Sequence, residues 1–249
     1  MPAPDTSAFR TQDAGVPNLT FLRRDLTLVS AAAALGRELP PADVVAFTTG
    51  ILPAKAREET AEGLERDMAV SCLSRLVALR GLLPRLPTGA RVFVWGMPGN
   101  GAVTRLEDLN AEKSYEGGFG FVHMNTVGGN EALVLHLAAT ERARGGAAVF
   151  GMNPGLIATG IRDSVHGGRG GLLGRTMEGL IGLFTPSVEA YAAKTVPLMF
   201  AEGLEAHNGA MFNQGGDVIL PNKEFLDAPG RAAEWYDAME ALLKRKTGL

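Results

Sequence analysis

The residues of this chain most suited to acid–base chemistry meet at one place, where His123 is followed closely by Asn125 and Thr126. Imidazole titrates near neutrality and commonly moves protons in catalysis. In that role His123 acts as acid or base while Asn125 and Thr126 orient a substrate carbonyl; in the plainer role it packs or caps at a helix start. Tyr115, with Lys113 nearby, offers a phenolic donor from a Gly-rich stretch. The remaining histidines, His136, His166 and His207, are scattered and show no metal-ligand spacing. No Gly-x-Ser-x-Gly elbow marks a hydrolase. Cys72, the one cysteine, lies in an apolar helical stretch without clear cationic activation and reads as a buried structural thiol.

Two glycine-rich segments invite a ligand reading. Gly96-x-x-Gly99-x-Gly101 follows a strand, but its spacing is wrong for a dinucleotide fingerprint, and a substrate-side loop is the better reading. His166-Gly-Gly-Arg169-Gly-Gly-Leu-Leu-Gly174 could hold an anion through Arg169 and backbone donors, although a flexible lid is the commoner explanation.

The elements that must position these residues alternate. Strand candidates are Leu19–Leu22, Asp43–Thr48, Arg91–Trp95, Ala147–Gly151 and Gly209–Asn213. Between them, an Ala-rich helix capped by Thr27 or Ser30 ends at Gly36. A long helix spans about Thr60 to Leu83, and another His123 to Arg142. Helices follow around Leu172–Phe184 and Ser187–Phe200, with a terminal amphipathic one at Arg231–Lys246. Strands alternating with crossover helices predict a parallel sheet with both faces covered. The 249 residues suit one domain, with 1–18 as a polar, Pro-containing arm.

Composition narrows the classes. Apolar residues make up 46% and charged residues 20%, ordinary globular usage. A net charge of −3 gives no field to recruit nucleic acid or an anionic membrane. No signal-peptide core and no apolar run of spanning length are visible, and a lone cysteine suits a reducing compartment. The expected setting is the cytoplasm.

Several short segments share the order and spacing of a known family. Asp25-Leu26 follows a strand, Thr48-Thr49-Gly50 closes the next, and Glu62-Gly-Leu-Glu65 precedes Met68-Ala-Val-Ser71. Asn153-Pro154-Gly155 leads to Thr159. From about Leu19 to Gly216 the chain resembles the short-chain dehydrogenase/reductase superfamily. The resemblance implies a three-layer α/β fold with a Rossmann-like parallel sheet. It puts Asp25 and Leu26 at an adenine ring, and Thr48, Thr49 and Gly50 at the end of the family's fourth strand. Pro154, Gly155 and Thr159 fall in the segment that folds over a nicotinamide. It further implies an oxidoreductase, NADP or NAD linked, acting on a small carbonyl or alcohol.

The departures are as ordered as the matches. The family's glycine-rich unit needs roughly 30 residues, and only 18 precede Leu19. The first strand–helix–strand unit is therefore expected to be missing. In that case the Leu19 strand pairs directly with the next, a partner chain fills the gap, or the true start lies upstream. In the Tyr-x-x-x-Lys pattern, His123 takes the tyrosine position and Val127 the lysine; Met97 falls at the catalytic serine and Ser71 at the structural asparagine. Dinucleotide binding is accordingly expected to be weak or absent. Two alternatives stay open: an inactive subunit pairing with an intact family member, family members being commonly oligomeric, or a non-redox isomerase or lyase using His123 as base.

Overall fold

The computed structural model describes residues 20, 22–100, 104–117, 120–155 and 186–249. Helix α1 (Val29–Glu38) has no capping side chain at its own N-terminus. Thr27, an expected cap, instead donates its N–H and hydroxyl to Asp25 Oδ1 at 3.0 and 2.7 Å. The N–H groups of Val29 and Ser30, which have no partner within the helix, go to the Glu62 carboxylate at 2.6 and 3.2 Å, a negative charge at the positive end of the helix dipole. At the other end Arg85 donates to the carbonyls of Gly36, Arg37 and Leu39. Gly36 does not stop the helix. It lies where α1 crosses the next helix, and a Cβ there would sit 2.2 Å from the Ala78 carbonyl oxygen.

That next helix, α2, comes in three pieces: Arg66–Met68, a π turn Ala69–Leu73, and Ser74–Leu82. It starts later than its periodicity predicts. The Thr60 N–H closes a turn onto Leu64 O at 2.8 Å, and Glu59 bridges Glu65. Glu65 then caps the helix by accepting from Met68 N at 2.8 Å. Helix α3 (Phe121–Arg144) ends on Gly145 in the left-handed region, φ 66°, where glycine carries no Cβ penalty. Helix α4 (Val188–Met199) is capped by Ser187, which accepts from Ala190 N.

The sheet runs β1 (Val44–Phe47), β2 (Arg91–Trp95), β3 (Ala148–Met152), β4 (Met211–Phe212), β5 (Val218–Ile219) in that spatial order. The first three junctions are parallel and the last is antiparallel. Side chains alternate across it. Val92, Val94 and Val149 face a large core with α1, α2, α3 and the terminal helix α6 (Arg231–Thr247). Phe93, Phe150, Met152 and Phe212 face a smaller core closed by Met199 of α4. This is the expected three-layer α/β architecture.

Three expectations change or fall outside view. Thr20 and Leu22 belong to no strand, and Leu19 and Phe21 lie outside the described residues, so a Leu19–Leu22 strand is not formed by what is described. Among the described residues nothing pairs with the outer edge of β1. The helix expected at 172–184, together with Thr159, His166 and Arg169, lies outside the described residues. The short strand β5 and helix α5 (Lys223–Asp227) were not foreseen. They are too short to carry a period, and Val218 and Leu226 stay exposed. Among the described residues no helix is long and apolar enough to cross a membrane.

Candidate active site

The site is built where α2 and α3 pass beneath the C-terminal ends of β1 and β2, the end at which open α/β sheets bind ligands. Asp67, Ser71 and Arg75 stand four residues apart on α2, on one face, with the π turn between them. Such turns recur at functional positions. His123 lies in the first turn of α3.

His123 Nδ1 is 2.8 Å from Asp67 Oδ2. Both residues are buried, Asp67 at 0% exposure and His123 at 7%. A carboxylate only accepts, so Nδ1 carries the proton of this bond. Asp67 Oδ1 accepts from Ser71 Oγ at 2.5 Å, and the Ser71 hydroxyl oxygen accepts from Ile51 N at 2.9 Å. The pair is thus tied to the turn after β1. Thr126 donates mainly to the His123 carbonyl at 2.7 Å, with a longer contact of 3.4 Å to Asp67 Oδ2.

Beneath this pair lies Arg75, 3% exposed. Its guanidinium donates to Thr49 O at 2.6 Å, Trp95 O at 2.7 Å and Asn130 Oδ1 at 2.8 Å. Burial pulls its pKa down to about 10, which leaves it charged at neutral pH. Asn130 in turn donates to Ser71 O at 2.8 Å and Thr126 O at 2.7 Å, joining α2 to α3. Val127, at the position where the resemblance expects lysine, is apolar and 3% exposed.

The other predicted residues are placed as follows. Asn125 is committed to loop backbone: Oδ1 accepts from Arg105 N at 2.7 Å, and Nδ2 donates to Arg105 O and Asp108 O. It braces the segment before α3. Tyr115 donates its hydroxyl to Ala54 O at 2.7 Å. Burial pushes its pKa up to about 12, with the Glu65 and Asp67 charges adding. Thr48 and Thr49 are exposed, and a Cβ on Gly50 would lie 3.5 Å from Ser71 Oγ. Asp25, exposed, is held ionised by its bonds from Thr27, and Leu26 is half-buried against the large core.

The loop after β2 is pinned on three sides. Asn153 donates to Pro98 O at 2.8 Å, Glu131 accepts from Gly99 N at 3.5 Å, and a Cβ on Gly99 would lie 2.6 Å from Leu220 O. Met97, at the position where the resemblance expects serine, has φ 53°, a left-handed conformation that a side chain adopts only at a cost. Gly155 follows Pro154 at φ 61°, and a Cβ there would meet Gln214 Oε1 at 2.1 Å. Among the described residues no group of three or more His, Cys, Asp or Glu could hold a metal ion.

Asp67, Arg75 and Asn130 were not among the candidates from sequence. A signal existed: the four-residue spacing of Asp67, Ser71 and Arg75 runs a polar stripe through an otherwise apolar helix.

No family model matches the sequence. An uncharacterized oxidoreductase of Saccharomyces cerevisiae is 37% identical over 225 residues, 86% of this chain and 71% of that protein. Among solved structures, a short chain dehydrogenase family protein from Francisella tularensis superposes with a TM-score of 0.54 at 16% identity, covering 80% of each chain. The chain belongs to the family of that yeast oxidoreductase and has the fold of the short chain dehydrogenases. NADPH-bound carbonyl reductase from chicken fatty liver is also similar in fold, with a TM-score of 0.57 at 14% identity over 85% of this chain and 81% of that one. His123 and Val127 stand where the sequence resemblance expects the Tyr-x-x-x-Lys pair, and the hydrogen-bonded partner of His123 comes from α2 rather than from α3 itself.

Proposed function

We propose that this chain is an oxidoreductase of the short-chain dehydrogenase/reductase type, acting on a small carbonyl or alcohol, with His123 giving or taking the proton at the substrate oxygen. The observation that carries this is the buried His123–Asp67 bond at the tyrosine position. Asp67 fixes the ring's tautomer, and its charge stabilises the imidazolium that forms when the ring takes up a proton. The protein names among the relatives and structural neighbours, an oxidoreductase, dehydrogenases and a carbonyl reductase, support the reaction class.

The described residues do not fit a firm grip on a nicotinamide dinucleotide. Val127 supplies neither charge nor hydrogen bond where the family uses lysine, and Asp25 spends Oδ1 on Thr27. Neighbours carry NADP in a ketoreductase and NADPH in a carbonyl reductase, which favours a nicotinamide nucleotide here without choosing between the two forms. Binding weaker than micromolar follows.

The test pairs two measurements on the purified chain. Nicotinamide fluorescence titrated with NADPH and NADH should give weak binding, and a micromolar affinity contradicts it. Reduced-nucleotide consumption with small aldehydes and ketones at millimolar nucleotide should be detectable and should depend on His123. Turnover of a carbonyl compound without nucleotide consumption would move the pair to isomerase or lyase chemistry instead.

A further inference from the structure

Arg75 is a buried cation whose described hydrogen bonds all go to carbonyl oxygens. Its acceptors are Thr49 O in the turn after β1, Trp95 O at the end of β2, and the Asn130 side-chain oxygen. The planar fork reaches all three at once, which a point-charged ammonium on a flexible stem does not reproduce. Because Arg75 occupies Asn130 Oδ1, the Asn130 amide can point only one way. Nδ2 must then face Ser71 O on α2 and Thr126 O on α3. Gly96 makes room for this side chain, since a Cβ there would lie 2.7 Å from Asn130 Cβ.

The consequence is geometric. Asp67 is one turn before Ser71 on α2, and His123 is one turn before Thr126 on α3, so the Asn130 cross-link sets the register of the two helices that carry the pair. We infer that Arg75 is a positioning residue for the Asp67–His123 pair: through Asn130 it locks α2 against α3 and holds the two side chains at bonding distance. The family cation that would stand at Val127, on the same helix as the proton donor, is replaced by one that acts from α2 on the backbone. This inference rests on the proposed function only for the use to which the pair is put; the geometry it explains is independent of turnover.

The experiment reads the pair directly. In the full-length protein, the His123 Nδ1 proton is observed by proton–nitrogen NMR and assigned by its loss in His123→Gln. Arg75→Lys keeps the charge but not the fork, and Arg75→Met removes both. In either variant that folds, as judged by circular dichroism, the Nδ1 proton should exchange with solvent at least about tenfold faster than in the wild type or broaden beyond detection. A wild-type signal and exchange rate in a folded variant overturns the inference. Should neither variant fold, the unmodified protein decides: Arg75 guanidinium protons and the His123 Nδ1 proton should share one exchange rate, and rates differing by more than about tenfold overturn the inference. A protein that shows no turnover at all defeats the proposed function while leaving this readout intact. A pair signal indifferent to Arg75 does the reverse.

Discussion

Helix α3 is buried on two sides that differ in kind. Toward α6, Gly128 and Gly129 bring the backbone against an apolar cluster: a Cβ on Gly128 would meet the Trp235 ring at 3.2 Å, and one on Gly129 would meet Cys72 Sγ at 2.7 Å. Trp235 and Met239 are fully buried there, and Cys72 Sγ lies 3.4 Å from Met239 Sδ. Toward the sheet ends, the same helix meets α2 through His123, Thr126 and Asn130, each hydrogen-bonded within the protein. Non-directional packing tolerates small shifts of a ring or a sulfur. A chain of directional bonds does not, and unmade bonds in it cost about 1–3 kcal/mol each. The apolar side supplies stability, and the polar side fixes geometry at a cost that an apolar pair would avoid.

The comparison can be broken from either side. The largest effect expected is on turnover: His123→Ala should lower kcat by about 10²–10⁴-fold, at a stability cost of only about 1–3 kcal/mol for the Asp67 bond left unmade. Steady-state kinetics beside a urea titration checks both halves, and a large stability loss with intact kcat would make the polar side structural. Trp235→Ala should show the mirror image, losing about 3–5 kcal/mol in urea unfolding while kcat per folded molecule holds. A smaller loss of about 1–3 kcal/mol is expected for Gly129→Ala, because the added methyl must displace Cys72 Sγ. Unchanged stability there would mean that α2 and α6 yield more easily than their close packing implies.

The smallest effect is on pH dependence. Burial pushes the Glu131 carboxyl up to about 7, opposed by the Asn222 and Gly99 N–H groups and reinforced by the nearby Glu224 charge. The folded state therefore holds this proton more tightly than the unfolded chain, whose value is near 4.5. The contribution to stability is full below that lower value and is lost as pH rises to about 7. Glu65, raised to about 7 mainly by burial, adds a slope of the same sign. Glu131→Gln should flatten part of the decline between those limits in unfolding experiments across pH, and an unaltered slope would remove Glu131 from the account.

Much of the fold was readable because the elements are long or strongly patterned. The strands at 44–47, 91–95 and 148–152 and the helices α3, α4 and α6 lie within a few residues of where their periodicities place them. The α1 caps were not readable, since Glu62 and Arg85 act from more than thirty residues away and the adjacent Thr27 was the nearer guess. The start of α2 was misjudged for a related reason, because Glu65 stops the apolar period from extending back to Thr60. At the site, His123 was legible as a residue type with useful chemistry. Its partner was not, because Asp67 is 56 positions away and only the packing of α2 on α3 unites them. Asn125, two residues beyond His123, shows the opposite hazard: proximity in sequence put it beside the histidine, whereas the helix turns it onto the backbone of Arg105 and Asp108.

The most direct test of the claim that the His123–Asp67 pair moves the proton is the kcat of Asp67→Asn under saturating carbonyl substrate and millimolar NADPH. The amide keeps the shape but cannot stabilise a protonated ring, so kcat should fall by about 10²-fold or more while KM for the substrate stays close to wild type. A variant that folds and turns over at the wild-type rate would contradict the account.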